Sequence, residues 1–127
     1  MNEIDIKEWI KLATHDSDTA NLLVKENGHA DIIIYHLHQA TEKLLKALIL
    51  KNGGSLEKIH FLDKLLSKNI GKYKELNDVK DHILELNLYL PKLRYPSGDS
   101  IAFEEAQDLQ QKFQKIKTTI LSILQNK

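Results

Sequence analysis

Residues 35–51, YHLHQATEKLLKALILK, constrain the fold of this chain more than any other stretch. At about 100° per residue, Ile33, Ile34, Leu37, Ala40, Thr41, Leu44, Leu45, Ala47 and Leu48 fall on one broad apolar arc of a helix. An arc that wide buries against more than one neighbour, so this is the central helix of a bundle. The opposite arc carries His38, Glu42, Lys46, Gln39, Lys43 and His36 in angular order. A polar arc is ordinarily solvated or laced by pairs four residues apart. Two histidines and a glutamine among the charges make it a candidate site as well.

Every other segment has the same period. Ile6, Ile10, Ala13, Ser17, Ala20 and Val24 alternate spacings of four and three, with Trp9 beside the seam, and predict a first helix over 4–26. Asn27-Gly28 closes it, with Gly28 expected to take the left-handed conformation. The short connection sets helices one and two antiparallel. Asn52-Gly53-Gly54 ends helix two, and Leu62, Leu65, Leu66 and Ile70 mark a short third helix over 61–69. A fourth over 76–90 carries Leu76, Val79, Ile83, Leu86 and Leu90, with Leu84 and Leu88 as a second apolar edge suited to another chain. Residues 91–99 hold both prolines, Pro91 and Pro96, and read as the one extended connection. A fifth helix over 102–124 has the most regular seam: Ala106, Leu109, Phe113, Ile116, Ile120 and Ile123. The expectation is an all-α, antiparallel up-and-down bundle of four main helices plus one short helix, in a single domain over 1–127.

Charge is balanced overall but segregated along the chain. Residues 1–42 carry a net −5, residues 43–74 a net +6 and residues 75–127 a net −1. A neutral total argues against binding nucleic acid through a general basic surface, whereas the lysine-rich middle suits a local anion site. The absence of cysteine excludes disulfides and thiolate metal sites. No apolar run approaches the roughly 20 residues of a membrane span, and the N-terminus is too acidic for a signal peptide, so a cytoplasmic protein is expected.

Three polar landmarks remain. The first is the helix-two face His38, Gln39, Glu42, Lys43 and Lys46. The second is His60 in KIHFLDKLL, just after the Gly-Gly loop. The third is Arg94 in LRYPSGD, the sole arginine of the chain, beside Tyr95. Its planar fork of donors suits phosphate or carboxylate, and its bland alternative is a clamp on an acidic helix end. Pairs four apart, such as His38/Glu42, Asp78/His82 and Asp81/Glu85, fall short of a bundle metal site, whose ligands converge from several helices. No metal and no cofactor are expected, and neither a nucleophile elbow nor a glycine-rich phosphate loop is present.

The run LHQATEKLLKALIL, then KIHFLDKLL, then LRYPSGD before an acidic last helix, resembles the HEPN domain family (higher eukaryotes and prokaryotes nucleotide-binding). Trp9 and Ala13 fit the same pattern. The resemblance implies an antiparallel helical bundle that forms homodimers. It also implies one of two functions. Many bacterial members are paired with a small nucleotidyltransferase, as its substrate-binding partner or as half of a toxin–antitoxin pair. Others are metal-independent ribonucleases that use an arginine followed four to six residues later by a histidine. Here the last histidine, His82, precedes Arg94, so that linear motif is absent. The resulting expectation is a nucleotide- or substrate-binding module with a nucleotidyltransferase partner, without the intact ribonuclease motif and with no catalytic residue assigned; whether it is an enzyme stays open. An RNA-cleaving toxin with a degenerate site and a plain interaction bundle are the alternatives, which leaves nucleic-acid binding open. Gln39, Glu42, Lys43, Lys46, His60, Arg94 and Tyr95 are the ligand-binding candidates.

Overall fold

The computed structural model describes residues 2–96 and 100–126, so Ser97, Gly98 and Asp99 of the LRYPSGD motif lie outside the described residues. The described chain is all helical: α1 (Asn2–Lys25), α2 (Ala30–Lys51), α3 (Leu62–Ile70), a 3₁₀ segment (Lys74–Asp78), α4 (Lys80–Leu88), α5 (Leu90–Arg94) and α6 (Phe103–Gln125). The expected all-α bundle is therefore the fold. Helix α2 is its axis and packs against α1, α3, α4, α5 and α6. No described helix is long and apolar enough to cross a membrane.

Both ends of the α1–α2 pair close in the same way. After α1, Gly28 N–H donates to Leu23 O at 2.7 Å and Asn27 N–H to Val24 O at 3.3 Å; after α2, Gly54 N–H donates to Ile49 O at 2.9 Å and Gly53 N–H to Leu50 O at 3.0 Å. These paired reverse bonds satisfy the last carbonyls of each helix. The left-handed residue after α2 is Gly53 (φ 79°), but after α1 it is Asn27 (φ 56°) rather than Gly28. Gly28 is needed for space instead, since a Cβ there would stand 2.9 Å from Leu23 Cδ2.

The apolar arc of α2 is buried throughout, and so is the whole α6 seam from Ala106 to Ile123. These faces form one core with Ala13 and Ala20 of α1 and Leu62, Leu65 and Leu66 of α3. Asn69 locks α3 onto α2, its amide donating to Leu45 O at 3.1 Å and to Leu65 O at 2.9 Å.

The expected fourth helix departs from its reading. Its seam residues Leu76, Val79, Ile83, Leu86 and Leu90 are all buried, yet they are spread over the 3₁₀ segment, α4 and α5. Asn77 bends its amide back to Lys74 O at 3.0 Å, a local bond that competes with helix continuation. Nor is the start of the connection after it extended. Pro91 sits in the first turn of α5, where its missing N–H has no helical partner to lose. Arg94 thus ends a short helix rather than occupying a turn. The second apolar edge also divides: Leu84 packs on the core, while Leu88 is exposed.

Candidate functional site

The polar arc of α2 is not a solvated face. His38, Glu42 and Lys46 are buried, and Gln39, Lys43 and His36 are partly so. The bundle covers this arc from two sides, and the polar residues divide accordingly.

On the α1 side, Asp16 receives both neighbours. Its Oδ1 pairs with His36 Nδ1 at 2.8 Å, and its Oδ2 accepts from Lys43 Nζ. Lys43 is thereby taken up by Asp16 and does not line the pocket described below, contrary to its expected place in an anion site. The reason lies in the helix: Lys43 and His36 are seven apart, two turns along the edge that faces α1.

On the other side, α5 and the loop before α3 build a pocket over α2. Two bonds set their positions. Leu62 N–H, an unpaired donor at the start of α3, donates to Asn87 Oδ1 of α4 at 2.9 Å. Tyr89, between α4 and α5, donates its hydroxyl to Glu105 Oε2 of α6 at 2.6 Å, and Glu105 Oε1 accepts from Ala102 N–H at 3.2 Å. The α4–α5 corner is thus tied to α6 while the loop before α3 is tied to α4. His60 and Arg94, 34 positions apart in sequence, come to one cleft.

That cleft encloses about 350 Å³ and is lined by Tyr35, His38, Gln39, Glu42, His60, Leu90, Leu93 and Arg94. Small-molecule sites run from about 300 to 1,000 Å³, so a mononucleotide-sized ligand is within its range. Glu42 is the hub. Its Oε2 accepts from Lys46 Nζ at 2.9 Å and meets His60 Nδ1 at 3.3 Å. Lys46 in turn lies 5.5 Å from the centroid of the Trp9 ring, a cation–π contact that steadies it from behind. Arg94 is exposed at the rim and has no ion-pair partner among the described residues, so the clamp on a helix end is not its role there.

Four buried side-chain atoms lack a hydrogen-bond partner among the described residues: Ser17 Oγ, His38 Nδ1, His38 Nε2 and Glu42 Oε1. Ser17 borders a separate cavity of about 10 Å³, room for about one water. The other three atoms belong to two residues of the cleft. Burial pushes the His38 imidazole down to about 4; Glu42 opposes that shift, and Arg94 and His60 add to it. His38 is consequently neutral at pH 7, with one ring nitrogen a donor and the other an acceptor.

Of the sequence candidates, Gln39, Glu42, His60 and Arg94 come together in the cleft, with Lys46 held behind Glu42. Tyr95 does not line it; that side chain is exposed beyond the end of α5. His38, Tyr35, Leu90 and Leu93 complete the lining; of these only His38 stands among the polar landmarks of the sequence, and none is among the seven ligand-binding candidates. His38 had a visible signal, the spacing of four that joins it to Glu42 and Lys46. Tyr35, Leu90 and Leu93 had none until α5 was seen to cover α2. The two Glu-x-x-His spacings of the chain, Glu26 to His29 and Glu57 to His60, both fall in connections between helices. No group of three or more His, Asp or Glu among the described residues is placed to hold a metal ion.

A helical bundle with a mixed-charge cleft against its central helix is the class that fold and site define. The HEPN domain model matches residues 6–123 of the 127-residue chain, and the chain belongs to that family. No curated protein and no solved structure matches it.

Proposed function

We propose that the protein is a binding module that holds a nucleotide in the cleft between α2 and α5 and works as the homodimeric partner of a small nucleotidyltransferase. The observation that carries the reading is Arg94. It is an unpaired guanidinium at the mouth of a closed-backed pocket, where a phosphate would gain two parallel charge-assisted bonds. Family membership supports a nucleotide as the source of that phosphate. Exposed Leu88 and Phe61 offer apolar surface for self-association. Calorimetric titration of nucleoside triphosphates at low salt tests the ligand, with Arg94→Lys as the control. Absence of heat and of thermal shift with every one of them would end the reading. Sedimentation at micromolar concentration should give twice the 14.6 kDa chain mass, and a small nucleotidyltransferase encoded beside the chain should co-purify with it.

A second reading, metal-independent RNA cleavage, is favoured by one observation. The arginine–histidine pair missing from the linear sequence recurs in space, because His38 and His60 share the cleft with Arg94. His60, oriented by Glu42, would move the proton and Arg94 would stabilise the phosphate charge. Incubation of single-stranded and transfer RNA with EDTA separates the two. Cleavage lost in both His60→Ala and Arg94→Ala would favour this second reading, and intact RNA the first.

A further inference from the structure

The chemistry of the cleft is not uniform from mouth to back. The rim carries Arg94, a donor-only cation. The back carries Glu42 and His38, four apart on one face of α2 and both buried. A phosphate has only acceptors to offer and would meet the Glu42 carboxylate with like charge, so the back of the cleft rejects the group that the rim attracts. The unpartnered atoms there are an obligate acceptor, Glu42 Oε1, and the two nitrogens of His38, one of them a donor while the ring is neutral. Buried polar atoms of this kind are ordinarily paired, and three in one cleft specify a polar edge of complementary pattern.

Resting on the nucleotide reading above, we infer that the nucleotide binds base first, and that the base is one with an exocyclic amino group beside an unprotonated ring nitrogen on the edge away from the sugar: adenine or cytosine. The amino group donates to Glu42 Oε1, and the ring nitrogen accepts from the His38 N–H. The phosphate stays at the mouth on Arg94. Held in the same pose, hypoxanthine and guanine put O6, and uracil O4, where that amino group stood, and so set two acceptors against each other at Glu42. The base reaches these atoms by displacing the partly buried side chain of Gln39, with the exposed Tyr35 ring on the same cleft wall to stack against.

The bond from Lys46 makes the discrimination testable by one isosteric change. Lys46 donates to Glu42 Oε2 and has no acceptor to offer an amide. In Glu42→Gln the amide oxygen therefore keeps the Lys46 side, and its NH₂ takes the position of Oε1. The acceptor at the back becomes a donor, and the preferred base reverses.

Titration of the full chain with AMP, IMP, CMP, UMP and inorganic phosphate is the experiment. The wild type should bind AMP about tenfold or more tightly than IMP, and CMP likewise over UMP, with inorganic phosphate weakest. Glu42→Gln should bring the AMP-to-IMP ratio to parity or below. Equal binding of AMP and IMP by the wild type, or binding of phosphate as tight as AMP, would overturn the base-first placement while leaving a nucleotide site intact. Failure of all five to bind would remove the nucleotide reading itself. The wild-type comparison stands without the variant, whatever the folding of Glu42→Gln.

Discussion

The two flanks of α2 carry similar residues to different ends. On the α1 flank, one carboxylate meets one histidine and one lysine, and both oxygens of Asp16 have partners. On the α5 flank, one carboxylate again meets one histidine and one lysine, but both fall on a single oxygen of Glu42. Glu42 Oε1 and the neighbouring His38 ring are left over. A closed network joins two helices and needs nothing more. An open one, buried beside a cleft, costs stability unless something completes it. The difference between the two sets of polar residues lies in which atoms remain unpaired among the described residues, not in residue type.

The largest expected effect is on stability. Glu42→Ala strands Lys46, whose side chain is only 10% exposed, and breaking a buried pair from one side costs about 3–5 kcal/mol. Asp16→Ala strands Lys43 and His36, at 23% and 24% exposure, which can turn toward water; a cost of about 1–3 kcal/mol is expected. Urea denaturation of the two variants measures both, and equal losses would erase the distinction between the flanks.

Acid comes next. The His38 imidazole is held at about 4 in the folded protein, against 6.5 for an unburied histidine. Between those values the unfolded chain binds a proton that the folded one refuses. This contribution to stability is fully present above pH 6.5 and falls away as pH drops toward 4. The loss is on the order of 3 kcal/mol. Denaturation midpoints at pH 7.5 and 4.5 should differ less in His38→Gln than in the wild type. An unchanged acid limb in that variant would mean that His38 is already paired.

Arg94→Lys should act on binding alone. The exposed guanidinium has no partner among the described residues, so the melting temperature should stay within the scatter of ordinary surface changes. Nucleotide affinity should fall by about 10- to 100-fold, because an ammonium cannot reproduce a two-pronged contact worth about 1.5–3 kcal/mol. A lowered melting temperature without change in affinity would reassign Arg94 to the structural side of the comparison.

The fold was legible because burial in a bundle is written in spacing. The seam from Ala106 to Ile123 needed only its three-four period, and every member is buried. The lining of the candidate cleft was legible where residue type is unusual for its place: His60 at a helix start, the lone Arg94, and Glu42 on the central helix. It was illegible where it depended on α5. Pro91 reads as the start of an extended link, and equally as the first turn of a helix; only packing decides between them. Once α5 exists, Leu90 and Leu93 cover the polar arc of α2, and His38 changes from a surface residue to a buried one. Lys43 was misplaced for a related reason. Its position on the arc was right, but nothing local reveals that Asp16 waits across the helix pair.

The smallest expected effect tests the border of the site. Tyr95 adjoins Arg94 in sequence, yet the end of α5 sends the chain extended at this residue (φ −132°, ψ 140°) and leaves its side chain 68% exposed. No described side chain bonds its hydroxyl. Tyr95→Ala should therefore leave the unfolding free energy within about 0.5 kcal/mol of the wild type and change nucleotide affinity by less than about twofold. Tyr35 is the useful contrast: also exposed, but part of the cleft wall. Tyr35→Ala removes a ring that a bound base can stack against, and stacking on an aromatic side chain is worth about 1–3 kcal/mol per base. Parallel titrations of AMP into the two variants give the answer directly. If Tyr95→Ala weakens binding as much as Tyr35→Ala does, the ligand extends past α5 onto the exposed face, and the functional flank of α2 is wider than the cleft.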